Sequence, residues 1–198
     1  TPKPSSAASD VYKRQVLKCW GNNGSGQLGD GTTVAKSTPV VIDSGVSYSE
    51  ISLGSSYTCG ITTGGVLKCW GDNSYGQIGD STTVSKSSPV VIDSGVTYSQ
   101  IGTGANSTCG VTTTGILKCW GNNGNGQLGD GTTANHTAPA VSDSGVAYNQ
   151  ISMGYYHAVG ITNAGVLKSW GSGTYGQLGN MYTVIAFYPQ YVVKVRQP

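Results

Sequence analysis

Two groups of residues in this chain have the types and spacing to do chemistry. Gly24-Ser25-Gly26-Gln27-Leu28-Gly29 fits G-x-G-x-x-G, the loop that receives a dinucleotide pyrophosphate when it joins a strand to a helix. Five cysteines, Cys19, Cys59, Cys69, Cys109 and Cys119, have the chemistry for disulfides or metal ligation. His136 and His157 are the only histidines. The chain has no H-E-x-x-H, no G-x-S-x-G and no carboxylate pair, so neither a catalytic group nor a cofactor is expected.

The glycine loop loses its nucleotide meaning once its surroundings are read. "VLKCWGNNGSGQLGD" returns as "VLKCWGDNSYGQIGD", "ILKCWGNNGNGQLGD" and "VLKSWGSGTYGQLGN", which sets Trp20, Trp70, Trp120 and Trp170 at one phase of a 50-residue repeat. Fixed periods of this size indicate propellers or solenoids. Ser74 and Thr174 replace the first glycine in two copies, and the following Thr, Ser and Pro residues do not continue as a helix. These glycines are read as turn residues.

Composition supports an all-β chain. Gly contributes 31 of 198 residues and charged residues only 10%, with no sustained helical periodicity and no run long enough to span a membrane. Residues 16–198 carry eight charges of each sign, which leaves no basic patch for nucleic acid. The chain lacks an initiating Met and a signal-peptide pattern, so its natural N-terminus is expected to lie elsewhere. Residues 1–15, with Ser9 and Gln15 off the repeat pattern, read as a non-family leader, disordered or artefactual.

Each unit offers four short strands, matching a blade of a β-propeller. The expected blades are residues 39–73, 89–123 and 139–173, with a single strand at 16–23 and the first strand of a further blade at 188–196. The tightest turn is a three-residue hairpin loop ending in Gly65, Gly115 or Gly165, where a left-handed residue belongs. That loop places Cys59 opposite Cys69 and Cys109 opposite Cys119. Both pairs fall at non-hydrogen-bonded sites with Cα atoms about 4.5 Å apart, within reach of a disulfide. The fourth copy loses both positions together, to Val159 and Ser169, while Cys19 is left as an unpaired thiol. Two cross-strand disulfides are therefore expected, and with them an oxidising, extracellular or cell-surface location. Buried free thiols remain an alternative, and zinc a weaker one because no C-x-x-C is present.

The repeat itself, "GSSYTCGIT" followed by "GVLKCWGDNSYGQIGD", resembles the regulator of chromosome condensation repeat. The resemblance covers about residues 16–180 and implies a β-propeller, of which this chain would form an arc with further blades expected. The Cys pairs resemble the bacterial, exported branch of that family. In this light the tryptophans, with Ile51, Leu53, Ile61 and Leu67, should fill the space between sheets. Asn23, Asn73 and Asn123 with Gln27, Gln77, Gln127 and Gln177 should satisfy loop backbone, and Asp30, Asp80 and Asp130 should cap a turn. Calcium at these Asp segments is the alternative, with one carboxylate per site.

Function is then expected to be recognition, by loops that differ between copies. The candidates are Tyr75, Tyr155, Tyr156, His157 and Tyr175, presented to a protein or glycan. Lys36, Lys86 and His136 vary in the long loop. The rival readings are a guanine-nucleotide exchange factor, as nuclear relatives imply, and a structural spacer in a large surface protein.

Overall fold

Short β-branched and aromatic runs separated by Gly, Asn and Asp give strands joined by turns. The computed structural model describes residues 16–181 and 183–192, and the expected leader at 1–15 lies outside them. The strands are β1 (Lys18–Gly21), β2 (Lys36–Val41), β3 (Tyr48–Leu53), β4 (Tyr57–Thr62), β5 (Leu67–Gly71), β6 (Lys86–Val91) and β7 (Tyr98–Thr103). They continue as β8 (Ser107–Thr112), β9 (Leu117–Gly121), β10 (His136–Val141), β11 (Tyr148–Met153), β12 (His157–Thr162), β13 (Leu167–Gly171) and β14 (Ala186–Tyr191). Among the described residues no helix is long and apolar enough to cross a membrane.

The strands form three four-stranded antiparallel sheets, β3–β6, β7–β10 and β11–β14, and one two-stranded sheet, β1–β2. The expected grouping is corrected in one respect. The Pro-containing strand closes the preceding sheet instead of opening the next, because Cys69 pairs with Val90 and Lys68 with Val91. The blades therefore run 48–91, 98–141 and 148–191, and β14 is the outer strand of the last sheet instead of the first strand of another. The cause is the loop at 72–85, which folds on itself and returns the chain beside the Trp strand. The shorter connector at 92–97 only looks like a hairpin. It crosses to the next sheet, held by a bridge between Val66 and Thr97.

The hairpin register matches the sequence reading. Cys59 faces Cys69, Cys109 faces Cys119, and Val159 faces Ser169. Both Cys pairs are disulfides with Cα atoms 4.1 Å apart, and Cys19 is free. Gly65, at φ +80°, supplies the left-handed third loop residue.

The core lies between sheets. Trp70, Trp120 and Trp170 are fully buried, each donating its indole N–H at 3.0 Å to a carbonyl of the preceding unit, at Gln27, Gln77 and Gln127. The last glycine of G-x-G-x-x-G exists for this contact. A Cβ on Gly79 would fall 2.5 Å from the Trp120 indole nitrogen. Ile61 and Leu67 are buried as expected, but Ile51 is 36%, Leu53 70% and Trp20 61% exposed. These three lie on the β1–β2 side of the first full sheet, where no described four-stranded sheet covers them.

A second tie, unforeseen in the sequence, joins successive units. The Asp43 carboxylate accepts from the Tyr48 hydroxyl at 2.7 Å and from Lys68 Nζ at 2.6 Å. Asp93 with Tyr98 and Lys118, and Asp143 with Tyr148 and Lys168, repeat it. The signal was present as Asp43, Asp93 and Asp143 at one phase and Lys18, Lys68, Lys118 and Lys168 at another, but each bonded pair is 25 residues apart.

Candidate binding face

Antiparallel alternation sorts the connections onto two ends. The loops after β3, β7 and β11 and those after β5, β9 and β13 emerge together, while the three-residue hairpin loops and the crossing connectors emerge opposite. Tyr75, Tyr155, Tyr156 and Tyr175 therefore share one face. The two kinds of loop touch, with Asp72 N–H donating to Ser56 O, Asn122 to Asn106 O and Ser172 to Tyr156 O. The short loops form a row linked by Ser55 N–H to Ala105 O and Ala105 N–H to Tyr155 O. Beside that row runs an open groove of about 320 Å³, lined by Ser55, Gly104, Ala105, Gly154 and Tyr155 among others.

At one end of the groove the rings of Tyr155 and Tyr156 meet edge to face, with centroids 4.4 Å apart. The Tyr156 hydroxyl is held above the usual phenol range, first by partial desolvation, then by Tyr155 and by the more distant Tyr75. Tyr75, on the corresponding long loop of another sheet, stands on the same face and is 41% exposed. Tyr175 projects from the corresponding loop of the last sheet and is 91% exposed. His157 differs from the other four. Its ring lies over Gly154, where Tyr57 lies over Gly54, and burial lowers its pKa. It packs the loop from beneath instead of projecting from it.

The long loops are stiffened from within. Asn23 Nδ2 donates toward Asp30 Oδ1, Thr32 O, Thr32 Oγ1 and Val34 O, all 3.0–3.3 Å away, while its Oδ1 accepts from Leu28 N–H. Asn73 repeats the same set. Gln27 and Gln77 Oε1 accept from the N–H of Ser25 and Tyr75, as expected of loop glutamines. Asp30 caps the turn by accepting from the N–H and hydroxyl of Thr32. Desolvation opposes its ionisation, but the bonds from Thr32, Lys36 and Asn23 prevail and pull its pKa down to about 2.

The calcium alternative is answered by this arrangement. The oxygens that would bind a cation converge on an amide nitrogen, and the carboxylate is committed to Thr32 and to Lys36 at 3.2 Å. In the third copy His136 takes the place of Lys36, its Nε2 lying 2.6 Å from Asp130 Oδ2. In the fourth copy the Asn and Asp positions change together, to Gly173 and Asn180. A Cβ on Gly173 would strike the Val184 carbonyl, which has moved into the space of the missing amide. Among the described residues no group of three or more His, Cys, Asp or Glu is placed to hold a metal.

Comparisons with known proteins agree with this geometry. One model of the regulator of chromosome condensation (RCC1) repeat matches residues 48–77, 98–127 and 148–177, and a second matches 19–61 and 115–161. No curated protein gives a significant match. Among solved structures, human WBSCR16 superposes with a TM-score of 0.78 at 23% identity, over 90% of this chain and 48% of that one. Yeast RCC1 (Prp20), solved bound to Kap60, gives 0.78 at 18% identity over 90% and 45%. Prp20p from Saccharomyces cerevisiae, in a study of its binding to Gsp1p and histones, gives 0.74 at 20% over 90% and 46%. This chain spans just under half the length of each, and the likeness establishes the fold. On the matched repeats and the sheets they form, the chain belongs to the regulator of chromosome condensation (RCC1) repeat family.

Proposed function

We propose that this chain is a non-enzymatic binding module, part of an exported or cell-surface propeller of the bacterial type, whose tyrosine-bearing loop face takes a protein ligand. The observation that carries the reading is the edge-to-face pair of Tyr155 and Tyr156 at the groove, on the same loop face as the exposed Tyr75 and Tyr175. Rigid amphipathic rings on a braced scaffold supply contact area at small entropic cost. The aspartates Asp43, Asp93 and Asp143 are paired with Lys68, Lys118 and Lys168, and Asp30, Asp80 and Asp130 are spent on loop caps. The two disulfides support a location outside the reducing cytosol.

The exchange-factor reading draws on the likeness to Prp20p, studied for its binding to Gsp1p. Disulfides in the first two full sheets weigh against work inside the cell. To test the proposal, immobilised protein is offered secreted and surface proteins of its source, with a glycan array in parallel, beside a Tyr155→Ser, Tyr156→Ser variant. A protein retained by the parent and lost by the variant supports it. A glycan lost in the same way moves the ligand class. Ligands held equally by both overturn the face, and none on either leaves the spacer reading.

A further inference from the structure

The end of the arc opposite the tyrosines carries the three-residue hairpin loops and the crossing connectors. There, between the second and third full sheets, lies a groove of about 270 Å³ lined by Ser99, Thr113, Thr114, Asn149 and Asn163 among others. Its lining holds no charged and no aliphatic side chain. Tyr148 supplies the one ring there, and its hydroxyl is spent on Asp143.

The repeat breaks its own pattern at this groove. At the phase of Asn149 the two earlier units have Ser49 and Ser99, whose hydroxyls donate within their own sheets to Ile61 O at 3.1 Å and Val111 O at 3.2 Å. At the phase of Asn163 stands Thr113, with its hydroxyl 2.7 Å from that of Thr97. Thr97 also covers Gly65, where an added Cβ would fall 3.1 Å from Thr97 Cβ and 3.3 Å from its methyl. In the third sheet Ala147 replaces Thr97, which removes the hydroxyl partner and the methyl together. Asn163 Nδ2 stands there instead, 3.5 Å from where a Cβ on Gly115 would be. Thr114 adds a hydroxyl at the phase of Gly64. The side chains of Asn149 and Asn163 make no hydrogen bond to any described residue. Two committed hydroxyls have become two uncommitted amides in one groove.

We propose that this groove binds a neutral sugar ring, held by the amides of Asn149 and Asn163. A primary amide presents two donors and an acceptor in one plane. Neighbouring sugar hydroxyls each donate and accept, so they meet such an amide without any charge. An ionic ligand finds no counter-charge in the lining, and an apolar one would bury these amides unpaired. A peptide would find no apolar pocket for its side chains. The volume lies below the roughly 300–1,000 Å³ of sites for drug-sized ligands, which suits a single ring of a glycan.

The test follows side-chain amide NMR signals of the isotope-labelled 198-residue protein. Free glucose, galactose, mannose or N-acetylglucosamine is added in turn, with acetyl-alanine amide as a peptide control. At least one sugar should shift the Asn149 and Asn163 signals saturably, and the peptide control should not. Asn149→Ser with Asn163→Thr restores the residues of the preceding unit, so the double variant should fold as the parent does. It should bind that sugar at least about tenfold more weakly, read at the backbone amides of Thr114 and Gly115. Tyr155→Ser with Tyr156→Ser should leave the affinity unchanged. The proposal is overturned if no sugar shifts the two side-chain amides, or if the Asn149, Asn163 variant keeps its affinity. It is overturned equally if the peptide control shifts them as far as any sugar does. A glycan that the tyrosine variant retains belongs to this groove only when the amide variant loses it, so the two proposals fail separately.

Discussion

At the scale of single residues, the fold rests on contacts that admit one side chain only. Gly79 is the sharpest case, because its φ of +88° and the Trp120 ring both exclude a Cβ. Gly79→Ala should cost about 3 kcal/mol or more, from left-handed strain plus overpacking, read as a lowered denaturant midpoint with unchanged slope. The cysteines give a second expectation. Alkylation in denaturant should label one thiol before reduction, at Cys19, and all five after it. Five labelled thiols in protein made under oxidising conditions would remove the argument for an extracellular location. The loop aspartates set the acid limb of stability. Asp30 is depressed from 3.8 to about 2 when folded, so its contribution is complete above pH ~4 and disappears as pH falls through about 2. Asp80 and Asp130 are lowered in the same direction, so Asp80→Asn should flatten the fall in stability over that acid window.

At the scale of elements, the outer strands carry Pro39, Pro89, Pro139 and Pro189 at one phase. β6 and β10 are the outer strands of their sheets, each met at one carbonyl by the loop of the preceding unit (Gly31 N–H to Ser87 O, Ser81 N–H to Thr137 O), and a proline there removes a donor that a neighbouring molecule's strand would use. Replacing Pro89 and Pro139 together by Val should leave the sheets intact and raise concentration-dependent association, measured by sedimentation velocity. A double variant that stays monomeric would show that twist or charge already protects these edges. The same strands mark the limit of what was legible in the sequence. The Cys59–Cys69 register followed from three loop residues because hairpin geometry is local. The partner of "PVV" did not, because the loop at 72–85 hides a hairpin whose ends meet only after Asn73 has gathered Asp80, Thr82 and Val84. The binding face shows the same division. Variation between copies pointed to Tyr155 and Tyr156, but only the alternation of strands sets Tyr75 on their face, and only packing turns His157 inward onto Gly154.

At the scale of the molecule, each sheet contacts only its neighbours, so stability should be a sum of sheet and interface terms instead of one indivisible core. Trp120 belongs to β9 yet is buried with Tyr57, Cys59, Ile61 and Ile78 of the sheet before it, which makes it an interface residue as much as a sheet residue. Trp170 holds the corresponding place between the next two sheets. Trp120→Ala should therefore cost about 3–5 kcal/mol at the 48–91 to 98–141 interface. Its consequence should be regional. Hydrogen exchange in the variant should speed up in β4, β5, β8 and β9, while β12 and β13 keep most of their protection through the intact Trp170 contacts. If all three sheets lose protection equally, the ties that run across each junction, Tyr57 to Ser107 O and Asp93 to Lys118 among them, couple the arc into one cooperative unit. The binding face would then inherit its rigidity from the whole array, and a substitution far from Tyr155 would loosen it as surely as one beside it.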